Sequence, residues 1–201
     1  MNKTKIEWCD MTWNPVSGCL HNCSYCYARR IANRFGLHLE TDKPEVLEEK
    51  YSHETNCIMP GEKDFVTNPY PYDFYPTFHR YRLDEPARKT KGQKIFVCSM
   101  ADLFGDWVPD EWIEEVFKAC ETAPQHKYLF LTKNPSRYAQ LNRTGILPEG
   151  ENYWYGATFD HSNWSDKKGG HDPGDFYFPD IDDRNTFISF EPLLRDFNIG
   201  G

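Results

Sequence analysis

Long apolar runs are missing from this sequence. No stretch is hydrophobic over enough residues to span a bilayer, so no transmembrane helix is expected. An apolar leader is missing too: Met1-Asn-Lys-Thr-Lys passes straight into polar residues, which argues against a secretory signal and makes the cytoplasm the expected location. Positive charge is scarce. The 23 lysines and arginines face 31 aspartates and glutamates, a net charge of −8, so long-range attraction to nucleic-acid phosphates is disfavoured while a local basic surface stays open. What is present is a chain of 201 residues, 39% hydrophobic and 16% aromatic, enough for one domain with a ring-rich core. The seven cysteines are odd in number, and three of them, Cys19, Cys23 and Cys26, fall within eight residues. In a reducing compartment such crowding points to metal or cluster ligation rather than disulfides.

Short apolar runs alternate with amphipathic segments along the chain. A first strand is expected over residues 5–13, followed by the cysteine loop and a helix over 26–35. In that helix Ala28, Ile31, Ala32 and Phe35 share one face, Ser24 is the expected N-cap and Gly36 the expected stop. Residues 37–63 are polar and acidic and read as an insertion without a clear strand; residues 65–68 form a weak strand candidate. Residues 81–91 read as a short basic segment, helical from Asp84 onward. The next units are sharper. Lys94-Ile-Phe-Val-Cys98 has the continuous apolar character of a buried parallel strand. Pro109 opens a helix with Asp110 and Glu111 in its first turn and Ile113, Val116, Phe117 and Cys120 as its buried stripe. Further strands are expected at 128–131, 153–158 and 187–190, with Asn134-Pro135 capping a helix that carries Tyr138 and Leu141. Strand starts at 95, 128, 153 and 187 are spaced by 33, 25 and 34 residues, a βα repeat.

With six candidate strands, the chain reads as a single α/β domain over residues 1–201. Its expected form is a partial (βα)6 TIM-like barrel with parallel strands and polar insertions near 37–63 and 161–183. Barrels of this kind build their sites at the C-terminal ends of the strands. That rule selects residues 19–26, 99–104, 132–134, 158–160 and 191–192. The segment 161–183 is rich in Asp, Gly and Asn and reads as a surface loop or a lid. Asp180, Asp182 and Asp183 do not have the spacing of an EF-hand loop.

Three thiolates in the pattern CxxxCxxC can hold three irons of a four-iron cluster, which would leave the fourth iron open. The competing readings of Cys19, Cys23 and Cys26 are core thiols, or a zinc site completed by Cys9 or His21. Cys57, Cys98 and Cys120 read as buried or incidental thiols. His79, Arg80, Arg82, Lys89 and Lys91 form a basic stretch, either a solvated face or a nucleic-acid contact.

The motif with Tyr25 just before its third cysteine, on the loop after the first strand of a βα barrel, resembles the radical S-adenosylmethionine superfamily. The strings around Trp13-Asn-Pro-Val, Cys26-Tyr-Ala, Ser99-Met-Ala-Asp-Leu-Phe, Leu131-Thr-Lys and Ser189-Phe-Glu-Pro-Leu-Leu resemble a phage-associated radical-SAM-like family of unknown substrate. More distantly they are similar to the spore photoproduct lyase branch. The resemblance implies a 4Fe-4S cluster on Cys19, Cys23 and Cys26 with S-adenosyl-L-methionine chelated at the open iron. One electron, from a donor such as a flavodoxin or ferredoxin, then cleaves the sulfonium to methionine and a 5′-deoxyadenosyl radical that takes hydrogen from a substrate. In such a site Tyr25 would line the adenine. Ser99 and Asp102 would accept from the methionine ammonium. Lys133 would pair with the methionine carboxylate. Thr158 would bond the ribose, and Glu191 would complete the cofactor site or face the substrate. The superfamily's Gly-Gly-Glu motif is absent, and relatives continue beyond the point where this sequence ends, at Asn198-Ile-Gly-Gly201, with a further glycine-rich strand. The second class of function is a non-catalytic iron–sulfur or zinc protein on the same barrel, associated with phage or nucleic acid. The substrate is not named by any motif; nucleic acid is one candidate class.

Overall fold

The computed structural model describes residues 1–55, 64–159, 178, 181 and 183–190. The strands among them are β1 (Asn2–Lys3), β2 (Met11–Trp13), β3 (Val16–Ser17), β4 (Glu45–Leu47), β5 (Ser52–Thr55), β6 (Asp64–Thr67), β7 (Thr77–His79), β8 (Lys94–Val97), β9 (Lys127–Thr132), β10 (Tyr153–Phe159) and β11 (Asn185–Phe190). The helices are α1 (Tyr27–Phe35), α2 (Asp110–Glu121) and α3 (Ser136–Arg143), with a 3-10 turn at Arg80–Arg82.

A six-stranded sheet in the order β1-β2-β8-β9-β10-β11 carries the fold. From β2 to β11 all neighbours are parallel, and β1 closes one edge antiparallel to β2. Parallel neighbours need crossovers, and α2 and α3 supply them between β8, β9 and β10. The protein is therefore a mixed α/β fold built on a largely parallel sheet. Among the described residues β1 and β11 each have one neighbour, so the described sheet is open.

The register explains the core. One row across the sheet runs Met11, Ile95, Tyr128, Tyr153, and the next runs Trp13, Val97, Phe130, Tyr155. All eight are buried, and all but Met11 belong to the core cluster that holds the buried faces of α2 and α3. The expected stripe of α2 is confirmed, with Ile113, Val116, Phe117 and Cys120 buried; so is α3's, with Tyr138 and Leu141. Phe117 meets Phe130 at 5.2 Å between ring centroids, and Tyr138 meets Phe104 at 4.6 Å and Tyr155 at 5.2 Å. Tyr138 also donates its hydroxyl to the Gly156 carbonyl at 2.9 Å. Aromatic contacts of this geometry add about 0.5–1.5 kcal/mol each beyond burial.

The opposite face of the sheet is only partly covered. Leu129 and Leu131 alternate with the buried residues of β9 and are half-exposed, which differs from the fully buried strand expected of an apolar run. Trp8, from the turn before β2, covers part of this face, 4.8 Å from the Phe96 ring and 6.1 Å from Phe187. Gly156 belongs to this face: a Cβ there would stand 2.3 Å from the Phe187 ring.

Several expectations are corrected. The first strand is split: β1 and β2 flank a turn-rich stretch, so only Met11–Trp13 joins the parallel part of the sheet. The weak candidate at 65–68 is a strand, but β6 pairs with β5 in a separate antiparallel hairpin, so β2 lies directly beside β8. The polar stretch after α1 contains β4, parallel to β7, and β5; backbone pairing outweighs its polar composition. The basic segment forms a 3-10 turn and further turns rather than a helix from Asp84. On α1 only Ala28 and Ala32 are buried, while Ile31 and Phe35 lie open to solvent. Residues 56–63, with Cys57, and nearly all of 161–183 lie outside the described residues. Among the described residues no helix is long and apolar enough to cross a membrane.

Candidate functional site

The loops that follow β2 and β8 are tied together by one side chain. Asn14, just past β2, accepts at Oδ1 from the Ser99 hydroxyl (3.1 Å) and from the Met100 amide (3.0 Å). The chain then passes through β3, and Gly18 bridges to Ala101 with its amide donating to the Met100 carbonyl at 2.9 Å. Gly18 has φ +87°, and a Cβ there would fall 2.2 Å from the Tyr75 carbonyl oxygen, so only glycine fits. Cys19 follows, its amide bonded to the Phe74 carbonyl at 3.1 Å. Asn22 takes the left-handed conformation, φ +57°, that turns the loop toward Cys23 and Cys26.

Cys26 is itself the N-cap of α1: its Sγ accepts from the Arg29 amide at 3.3 Å. The cap expected at Ser24 is thus replaced by one of the three cysteines. All six described cysteines are free thiols; Cys19, Cys23 and Cys26 are half-exposed, whereas Cys9, Cys98 and Cys120 are buried. The three motif cysteines line one cleft of about 700 Å³ on the open face of the sheet. That size suits a cofactor or small ligand. Tyr25, Ser99, Asp102, Lys133 and Thr158 line the same cleft, so the structure brings together every described residue to which a cofactor role was assigned. Glu191 lies outside the described residues. Trp8, Phe74, Phe96 and Cys98 also line it without any motif that signalled them, as does Tyr27 of the Cys26-Tyr-Ala string. A smaller cavity of about 280 Å³ beside Tyr70, Tyr81 and Arg82 adjoins at Thr12.

Asp102 is buried, and its carboxylate is filled. Oδ1 accepts from the Phe104 amide (3.0 Å) and the Thr132 hydroxyl (2.7 Å). Oδ2 accepts from the Lys133 amide (2.9 Å) and lies 2.8 Å from His21 Nε2. A carboxylate offers about four acceptor positions, and all four are taken. The expected contact with a ligand ammonium is therefore not what this carboxylate is arranged for. It fixes the loops after β8 and β9 to His21 of the cysteine loop, whose ring packs edge-on against Trp107 at 4.8 Å.

Lys133 reaches into the cleft and donates from Nζ to the Tyr25 hydroxyl at 2.8 Å, with the ammonium 5.3 Å from the ring centroid. Burial holds Lys133 below its ordinary pKa, opposed by the charges of Cys23, Asp102, Cys19 and Cys26. Burial also pushes the Tyr25 hydroxyl up to about 12, with the neighbouring Cys23 adding. The Cys19 thiol is likewise pushed up to about 12 by burial, with Asp102, Cys23 and Cys26 adding. Ser99 is engaged twice, through its hydroxyl to Asn14 and through its carbonyl, which accepts from Tyr27 at 2.9 Å. Thr158 is buried at the end of β10.

The donor set suits a thiophilic cation. Burial, with Asp102, Cys23 and Cys26 adding, raises the proton affinity of the Cys19 thiol, and a bound metal would displace that proton. Among the described residues no three histidine, cysteine, aspartate or glutamate side chains are gathered into a metal-binding group; the three thiols share a cleft without converging on one point.

Fold and site together define a mixed α/β protein with a cysteine loop at the mouth of a parallel sheet. The chain belongs to the family described as a protein of unknown function, DUF5131, which it matches over residues 3–200. Comparison with the curated proteins and with the solved structures gives no match.

Proposed function

We propose that this chain is a radical S-adenosylmethionine-type iron–sulfur enzyme. The observation that carries the reading is the shared cleft: Cys19, Cys23 and Cys26 line it with Tyr25, Ser99, Lys133 and Thr158. The partial TIM-like barrel belongs to the same proposal. Its support is the sequential strand order β2-β8-β9-β10-β11, with helices α2 and α3 crossing between β8, β9 and β10, the winding of a barrel rather than of a doubly wound sheet.

Cys19, Cys23 and Cys26 would hold a 4Fe-4S cluster as thiolates. When bound, the cluster and S-adenosyl-L-methionine together supply one-electron cleavage of the sulfonium and a 5′-deoxyadenosyl radical for hydrogen abstraction. The protein's own residues bind, orient and keep the site dry. Lys133, held at Tyr25, is the cation for the methionine carboxylate. Tyr25 offers a ring beside the third cysteine for the adenine, and Thr158 a hydroxyl for the ribose. The Ser99 loop, pinned by Asn14, frames the ammonium side; Asp102 acts as a positioning residue. Trp8, Phe74, Phe96 and Leu131 line the cleft with apolar surface that excludes water. An electron donor such as a flavodoxin or ferredoxin is implied. The substrate is unassigned, with nucleic acid a candidate class.

One observation favours a second reading. His21 is held by Asp102 as metal-binding imidazoles are held by carboxylates, which suits a zinc site of three cysteines and one histidine. Anaerobic purification with metal analysis separates the two. About four irons per chain and cleavage of S-adenosyl-L-methionine to 5′-deoxyadenosine support the enzyme. One zinc per chain, or iron without cleavage, overturns it.

A further inference from the structure

Helix α1 begins at Cys26 and leaves apolar side chains uncovered. Tyr27 is 50% exposed, Ile31 39% and Phe35 56%. Their spacing of four residues places them in one stripe. Leu20, on the cysteine loop between Cys19 and Cys23, is 44% exposed.

Charge on this helix has one sign. Its sequence, YARRIANRF, holds three arginines and no acid in a chain of net charge −8. Arg29 turns inward, to Asn22, to the Cys19 carbonyl (3.5 Å) and over the Phe74 ring (5.6 Å). Arg30 and Arg34 are exposed, with Arg34 lying over the Phe35 ring at 5.4 Å. Four arginines elsewhere are matched to carboxylates: Arg80 to Glu115, Arg88 to Asp84, Arg137 to Asp110 and Arg184 to Asp183. Arg30 and Arg34 have no such partner among the described residues. An apolar stripe flanked by two uncommitted cations is complementary to an acidic protein surface with an apolar centre. At a rise of about 1.5 Å per residue, all of it lies within roughly 14 Å of Cys26 along the helix axis.

We propose that this stripe is the docking surface for an acidic one-electron carrier protein, which delivers its electron to the group held by Cys19, Cys23 and Cys26. This rests on the iron–sulfur reading above. One electron leaves the reduced carrier and enters the cysteine-held group; the carrier is oxidised by one electron, that group is reduced by one, and no covalent bond changes at the interface.

The test uses reduced flavodoxin as the probe, with calorimetry for binding and absorbance for reduction of the reconstituted protein. Wild type is expected to bind, more weakly as salt rises. The double variant R30E/R34E is expected to bind at least about tenfold more weakly and to be reduced by flavodoxin correspondingly more slowly. Reduction by dithionite stays at the wild-type rate, and R30K/R34K behaves as wild type. Equal binding and equal flavodoxin-driven rates in wild type and R30E/R34E overturn the proposal. So does a wild-type dimer that I31D converts to monomer, which assigns the stripe to a second copy. Binding of an oligonucleotide that R30E/R34E abolishes, without any effect of flavodoxin, also overturns it. Absence of iron, or absence of cleavage with dithionite, is the separate failure of the enzymatic reading.

Discussion

His21 Nε2 and Asp102 Oδ2 stand 2.8 Å apart, joining the cysteine loop to the end of the central sheet. The same carboxylate receives Phe104, Thr132 and Lys133, so one side chain fixes three loops around the cleft. Asp102→Asn places an NH2 group against at least one donor and leaves it unsatisfied. A loss of about 2–4 kcal/mol is expected, read from urea denaturation. His21→Ala removes a single partner and is expected to lose no more than about 1.5 kcal/mol. Equal losses in the two variants would show that Asp102 is not the hub.

Cys26 serves two purposes that substitution separates. Cys26→Ala removes the cap on Arg29 and is expected to cost the metal-free protein about 1 kcal/mol. Cys26→Ser keeps an acceptor at the cap, so the metal-free protein holds its stability while iron binding falls. Cys23→Ala is expected to abolish iron binding with little effect on the metal-free fold. Denaturation and iron analysis on the same preparations check all three.

Gly18 sets the path into the cysteine loop. Gly18→Ala must accept both a left-handed conformation and a clash with the Tyr75 carbonyl, which is backbone and cannot rotate away. A loss of about 2–4 kcal/mol and weaker iron retention are expected. Wild-type stability in this variant contradicts the loop geometry.

His79 is buried and lies 2.7 Å from the Ser17 hydroxyl. Burial, with Arg82 adding, holds its imidazole well below the usual range, so it is neutral in the folded chain. The unfolded chain takes up this proton near pH 6.5, and the folded chain does not. Stability is therefore intact above about pH 6.5 and falls as the pH drops from there toward the folded pKa, by up to about 1.4 kcal/mol per pH unit. His79→Gln is expected to flatten that slope. Urea midpoints between about pH 7.5 and 5.5 measure it.

The strands at β8 to β11 were legible because each is a compact apolar run separated by a crossover, and α2 because its stripe recurs at helical spacing. The helix face of Ile31 and Phe35 was legible as a stripe, but periodicity says nothing about what covers it. β4 and β5 escaped because polar residues reveal no strand when the partner, β7 or β6, is distant or equally polar. Of the site, the cysteines and the strand-end residues Ser99, Lys133 and Thr158 followed from placing polar groups after apolar runs. Asp102's role did not, because its donors come from separate stretches that meet only in three dimensions. The basic stretch also changes meaning in the fold: Arg80 pairs with Glu115 and Glu48, Arg88 with Asp84, and His79 is buried. The Arg80 charge thus serves local ion pairs and Arg82 donates to the Asn14 carbonyl, which lowers the case for a nucleic-acid contact through these two.

Anaerobic reconstitution with iron and sulfide, followed by reduction with S-adenosyl-L-methionine present, tests the central claim most directly. The account expects about four irons per chain and release of 5′-deoxyadenosine and methionine, both lost in Cys23→Ala. A chain that instead retains zinc, or that holds iron yet releases no 5′-deoxyadenosine, contradicts it.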